Sequence, residues 1–365
     1  MSKRRASPTC CRGRARKVNE LNPALKLAGI CVFTCAPICH AQDWGQTVAN
    51  SFAAAGNHDT VVDMTSMSGP QYSSVNPFAN LSGSANVVLK IGCYDITTSA
   101  PWVITAAHVR VEFCSPGSQL KAAANFPAAP LITVGNNTVP IQDVLIEYGY
   151  LNCENVQGCT GYLGNSLNEF TGLRHMNIGN TQGGTGPAVQ INGTAQTMGH
   201  YILEDLQIVN AGANDCIYVV ANGVNQHRIR DITCNNGAGT SIGKAGIHIT
   251  ATGTSQTDAV VEQVHVEGFT DGVFFDNRVL GTARDIDCTN GCSSGVHIGN
   301  SCSDIVLSAI TVTSATNIVR NDCLGKNVPR VAGGSFRTLS LYTQSNYGGN
   351  PAHACYWNGL QWVIE

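Results

Sequence analysis

The chain has 365 residues, of which 39 are Gly and 32 Asn, and only 12% are Asp, Glu, Lys or Arg. That is about half the usual charged share of a soluble protein. With 43% hydrophobic and 7% aromatic residues there is material for a large core, which excludes a coiled coil or charge-driven disorder and favours an all-β chain with many turns.

Seven basic residues from Lys3 to Lys17 precede an apolar run from Leu25 to Ile38, with Cys39, His40 and Ala41 as its exit. Residues 1–41 are therefore expected to be a secretory signal peptide. This leader holds 8 of the 21 basic residues and 1 of the 24 acids, leaving 13 against 23, a net charge of −10, on the remainder. Such an acidic chain is a poor general partner for nucleic acid or anionic membrane. No later segment supplies the ~18 uninterrupted apolar residues of a membrane span. The expected location is secreted, periplasmic or on the cell surface.

Residues 42–102 read as an N-terminal cap with the first coils. Asp43 is placed to cap a helix over residues 43–55, with Trp44, Val48, Phe52 and Ala55 on one face. Eleven cysteines follow the leader, which suits an oxidising compartment. Cys93 with Cys114 and Cys153 with Cys159 are the favoured pairs by proximity, and the odd total leaves at least one thiol unpaired within a monomer. No pair of cysteines repeats at zinc-ribbon spacing, so no structural zinc is expected.

Residues 103–345 carry a repeat of the form apolar, any, any, apolar, any, apolar. It occurs at Ala106/Val109/Val111, Ile141/Val144/Ile146, Leu173/Met176/Ile178, Leu203/Leu206/Ile208, Ile229/Ile232/Cys234, Val261/Val264/Val266, Ala283/Ile286/Cys288, Leu307/Ile310/Val312 and Phe336/Leu339/Leu341. A second short strand follows in most units, centred on Gln190, Tyr218, His248, Phe274 and His297. No single unit can bury its apolar side chains, whereas coils stacked about 4.8 Å apart pair every strand and share one core. The expected fold is all-β, a single-stranded right-handed parallel β-helix with a short N-terminal helical cap. Residues 346–365, with Cys355, Tyr356, Trp357 and Trp362, read as a small C-terminal β cap.

These features resemble the pectin-lyase-like superfamily of secreted lyases, polygalacturonases and phage tailspikes over roughly residues 43–345. Its front end, an amphipathic helix followed by Tyr94-Asp95-Ile96 and Val109-Arg110-Val111, is similar to the pectate-lyase-like module. The resemblance implies a polysaccharide partner and, where there is activity, glycan cleavage by a lyase or glycoside hydrolase. The competing expectation is a noncatalytic adhesin or tailspike-like structural β-helix, because the fold alone does not fix function.

Stacking converts sequence positions into columns. The second position of the repeat reads Gln142, Arg174, Glu204, Arg230, Glu262, Arg284, Ser308 and Arg337, an alternation of charge that fixes register. The third reads Asp143, His175, Asp205, Asp231, Gln263, Asp285, Ala309 and Thr338. Its acids suit a bend by accepting backbone N–H bonds, or share a cation or a proton at Asp205 and Asp231. Asp285 and Asp287 share one face and are the best calcium pair, but no dense oxygen cluster accompanies them, so no cofactor is expected.

The outward second-strand column offers flat rings and hydrogen-bonding groups, suited to sugar or to cross-coil stacking. Asn214-Asp215-Cys216-Ile217 resembles the Asp-Asp-Cys-Ile segment in which polygalacturonases place two catalytic acids, the second of which corresponds to Asp215. Asn214 stands where the first acid would be, and Gly237-Ala238-Gly239 lacks the family's histidine. The candidate catalytic residues are Asp215 as general acid, His248 and His297 as proton handlers, and Asp271 or Asp276 as second carboxylate. Gln190, Tyr218, Phe274, Lys244 and Arg278 are the candidate substrate contacts.

Overall fold

The computed structural model describes residues 43–322, apart from 194–197, 223–225, 237–241, 254–255, 300, 303–304 and 314–316. Beyond that span it describes the backbone of Val32–Thr34, Arg330–Val331, Arg337–Thr338, Cys355–Trp357 and Trp362–Ile364. All of it belongs to one of two contact units, Cys31–Glu365.

The helix forms as Trp44–Ala54, with the Asp43 carboxylate accepting from the Gln46 N–H at its first turn. The other Asp43 oxygen accepts from Ser74 N–H, which ties the cap to the first coil. Trp44, Val48 and Phe52 are fully buried, while Ala55 is the C-cap. Trp44 stacks on Trp102 at 5.4 Å, and its indole N–H donates to the Tyr94 hydroxyl, which donates to the Met64 carbonyl. A large aromatic plug thereby covers what would otherwise be an open end of the core.

Beyond the helix, coils stack as parallel strands in two sheets, of seventeen and nine strands among the described residues. The topology is a parallel β-helix. Through the centre the predicted register holds residue by residue: Leu203, Ile229, Val261, Ala283 and Leu307 are successive partners, as are Ile208, Cys234, Val266, Cys288 and Val312. All ten are buried at 1% exposure or less.

The third position of the repeat has a backbone explanation. His175, Asp205, Asp231, Gln263, Asp285 and Ala309 all have φ between 50° and 56°, the left-handed region in which Asp, Asn and His are enriched. Each long strand bends there, so residues on both sides of the bend point inward. Asp205 meets His175 at 2.6 Å and Asp287 meets His265 at 2.8 Å, while Asp285 lies 3.6 Å from Arg284. The proposed calcium pair is thus already engaged, and no group of three or more His, Cys, Asp or Glu among the described residues is arranged to hold a metal.

Two rows are misplaced by the sequence pattern. Ile146 and Leu151, rather than Ile141 and Ile146, pair with Leu173 and Ile178, and the Ala106 row moves with them, Val111 and Leu120 being the partners of Ile146 and Leu151. The intervening bend is Tyr148, at φ 65°, and the central apolar position is Gly149, where a Cβ would lie 2.5 Å from the ring of Phe113. Phe113 fills the space from another coil, so the row has no apolar triplet to find. Consequently Gln142 and Asp143 leave their columns and Glu147 and Tyr148 enter. At the far end Arg337 pairs with Thr311, not Ser308, and Phe336, Leu339 and Leu341 lie outside the described residues.

With Glu147 restored, the charge ladder is continuous. Its carboxylate is fully buried and pairs with both Arg110 and Arg174; Arg230 pairs with Glu204, and Arg284 lies 3.1 Å from Glu262.

Among the described residues four disulfides form: the anticipated Cys93–Cys114 and Cys153–Cys159, with Cys216–Cys234 and Cys288–Cys292. Cys302 is free and buried. Cys216–Cys234 joins the two sheets, and replacing both residues by alanine is expected to cost about 3 kcal/mol, the scale for a loop of this size. Urea titration of the double variant against the parent under oxidising conditions checks it.

The described C-terminal strands Cys355–Trp357 and Trp362–Ile364 pair as an antiparallel hairpin. Val32–Thr34, within the segment read as a leader, pairs in parallel with Val61–Asp63. No described helix is long and apolar enough to cross a membrane.

Candidate active site on the outward face of the second sheet

The strands Val189–Asn192, Ile217–Ala221, Gly243–Ala251, Phe269–Phe275, Ser294–Ile298 and Asn317–Asn321 are successive parallel neighbours in the nine-stranded sheet. Their register puts Gln190, Tyr218, His248, Phe274, His297 and Arg320 in one column. Strand alternation sends this column outward, because Ile217, Val219, Ile247, Ile249, Val273, Phe275, Val296 and Ile298 on either side face the core.

The spacing of coils matches the spacing of stacked rings. Tyr218 and His248 are 4.7 Å apart between ring centres, His248 and Phe274 4.7 Å, and Phe274 and His297 4.1 Å. Phe274 is nearly parallel to both histidines, at 24° and 10°. Both its faces are covered, so it offers an edge to solvent rather than the platform a sugar ring requires.

Each histidine is held between two aspartates from neighbouring coils. His248 Nδ1 meets Asp215 at 3.2 Å, and its Nε2 lies 3.5 Å from Asp276, an ion-pair contact longer than a hydrogen bond. His297 repeats the arrangement, with Asp271 and Asp322 each at 3.0 Å. Next to Asp271, Gly272 has the Gly295 carbonyl 2.4 Å from where its Cβ would be. Only glycine allows that approach, and Gly246 and Gly295 are equally crowded in the adjoining coils.

Burial works against charge on His248, but hydrogen bonding and attraction from Asp215 and Asp276 outweigh it and raise its pKa to about 9. It is therefore an imidazolium at neutral pH. The His248 imidazolium beside it is the main reason the Asp276 carboxyl is held below its ordinary range, despite partial burial. Burial first, then these two carboxylates, push the Tyr218 phenol up. The acids differ in access: Asp276 is 43% exposed and Asp215 10%. Both Asp215 oxygens are occupied, the second by the Ala245 N–H. Asp271 keeps one buried oxygen without a hydrogen-bond partner.

The structure thus brings Asp215, His248 and Asp276 together, and Asp271 with His297. Gln190 is in the column beside Tyr218. Lys244 is exposed on the His248 strand, four residues earlier. Arg278 is not brought to the column: it precedes Val279–Thr289 of the other sheet, its carbonyl accepting from Thr257 N–H. Asp322 was missed, although it stands two residues after its column residue, as Asp276 stands two after Phe274. Its strand lies past the last regular repeat, where no second row confirmed the spacing.

No family model matches the chain, and no curated protein matches it. Two solved structures do. One is ORF18 of Geobacillus virus E2, at 10% identity and a TM-score of 0.34, over 82% of this chain and 58% of that one. The other is the endo-xylogalacturonan hydrolase from Aspergillus tubingensis, at 11% identity and a TM-score of 0.31, over 87% of this chain and 97% of that one. The chain spans little more than half the length of the viral protein, and likeness at this level carries no argument about residues.

Proposed function

We propose that this chain is an exported polysaccharide-binding β-helix that contacts its glycan at the open edge of the outward column and cleaves it at Asp215, His248 and Asp276. The observation that carries the reading is one imidazolium set between two carboxylates, one buried and one open to solvent. The four disulfides suit an oxidising destination.

The geometry favours elimination over inverting hydrolysis. An inverting pair needs about 6.5–9.5 Å of free space between its carboxylates, and here the His248 ring occupies the space between Asp215 and Asp276. An open carboxylate with the buried His248 Nε2 3.5 Å from it instead addresses one face of a substrate. Asp276 takes the proton alpha to a uronate carboxylate, the electron pair forms the carbon–carbon double bond as the glycosidic oxygen departs, and Asp276 returns that proton to the departing oxygen while the His248 imidazolium holds the carboxylate. Asp215 holds the imidazolium in place, a positioning role rather than the general acid role its sequence context suggests.

The covered ring faces and the fully engaged Asp215 favour a second reading, a noncatalytic β-helix whose column only stabilises the stack. Assays for unsaturated uronate ends and for reducing ends, over acidic and neutral polysaccharides, separate the two. Unsaturated ends should form and fall about 10²–10⁴-fold in Asp276→Asn and His248→Gln. Binding without turnover by the parent protein selects the second reading.

A further inference from the structure

A left-handed column runs along the other sheet through Asp59, Asn86, His108, Asp143, Phe170 and His200, with φ between 46° and 60° at every coil. Most of these residue types suit that backbone; a bulky aromatic does not. Phe170 is also 65% exposed, so the core does not account for it either. Strained backbone under an exposed ring points to a use for the ring outside the fold.

Phe170 borders a recess of about 280 Å³, shared with His200, Gln226, Arg228 and the paired Arg230 and Glu204. Arg228 is exposed, and its guanidinium has no ion-pair or hydrogen-bond partner among the described residues. Glu204 is neutralised by Arg230, so the recess presents one uncompensated guanidinium beside one free aromatic face. On a chain whose net charge after the leader is −10, that local positive group matters for ligand choice.

We propose that this recess is a binding site for a single carboxylate-bearing sugar unit, separate from the outward column and independent of cleavage there. The sugar's C–H face lies on Phe170, its carboxylate meets the Arg228 guanidinium in a charge-assisted pair, and Gln226 and His200 meet hydroxyls. The volume is at the small end of the about 300–1,000 Å³ range of ligand pockets, which suits one ring rather than a chain segment.

The test is calorimetric titration of an oligoglucuronate, with the uncharged gluco-oligosaccharide of equal length as control, into Asp276→Asn protein so that the probe survives. Arg228→Gln in that background should weaken oligoglucuronate binding at least tenfold. Phe170→Asn should weaken it similarly while leaving Tm unchanged or higher, because Asn suits the backbone. Unchanged affinity in Arg228→Gln, equal binding of the neutral control, or a lower Tm with unchanged affinity in Phe170→Asn would each overturn the assignment. A parent protein without turnover that still shows the two losses supports the recess and refutes only the cleavage centre.

Discussion

Lowering the pH from 6.5 toward 3 is expected to cost the fold about 5 kcal/mol through one side chain, at about 1.4 kcal/mol per pKa unit. His227 is fully buried beside Tyr201, with Nε2 against the Thr257 hydroxyl and Nδ1 without a hydrogen-bond partner. Burial takes its pKa down to about 3, against about 6.5 in the unfolded chain. The unfolded state therefore takes up the proton first, and stability falls with pH until the folded imidazole also charges. His248 has the opposite sign. Its raised folded pKa of about 9 gives a contribution fully present below about pH 6.5 and lost as pH rises through the folded value, worth about 3 kcal/mol. Urea midpoints should peak near neutrality. His227→Leu should flatten the acid limb above about pH 4, where carboxylates do not yet contribute, and His248→Gln the alkaline limb. A parent profile that is level on the acid side would contradict a neutral buried His227.

Gly281→Ala is expected to destabilise by about 4 kcal/mol or more, the range in which a single change marks a specific failure. Gly281 has φ 150° and a Cβ there would stand 1.9 Å from the Ala259 carbonyl oxygen. Ala259 is its own ladder partner, so the clash is with the adjoining coil's backbone and no rotamer relieves it. Gly172, at φ 147° and 1.9 Å from the Ile202 carbonyl, should behave alike. Gly69→Ala is the control: φ is 72° with nothing within 4 Å, so it should lose only the about 1–2 kcal/mol of a left-handed L-residue. Soluble yield and urea unfolding of the three variants measure the contrast. Equal losses in Gly281→Ala and Gly69→Ala would show that the coils separate easily.

The stacking was legible because apolar side chains must return to the same wall in each coil, and that requirement wrote Leu203, Ile229, Val261, Ala283 and Leu307 into the sequence. The outward column followed from the same register. The reading failed where a residue from elsewhere does the packing: Phe113 supplies the bulk that Gly149 lacks, so the true row was silent and Glu147, the most buried charge of the ladder, went unnoticed. Contacts between columns were also out of reach. Alignment could place His248 beside Phe274, but not show that their faces would close against each other, nor that Asp322 would reach back to His297. Arg278 looked near Asp276 in sequence, yet the turn between them carries it to a different wall.

The aspartate–histidine column has a consequence for how this chain can change length. Asp215, then His248, then Asp271 with Asp276, then His297, then Asp322 occupy successive coils, so imidazole levels and carboxylate levels take turns. Removing the His248 level alone would bring Asp215 against the level of Asp271 and Asp276 with no cation between them. Repeat proteins grow and shrink by copying units, but along this stretch single-unit edits are penalised by like-charge contact, and only even-numbered gains or losses keep the alternation.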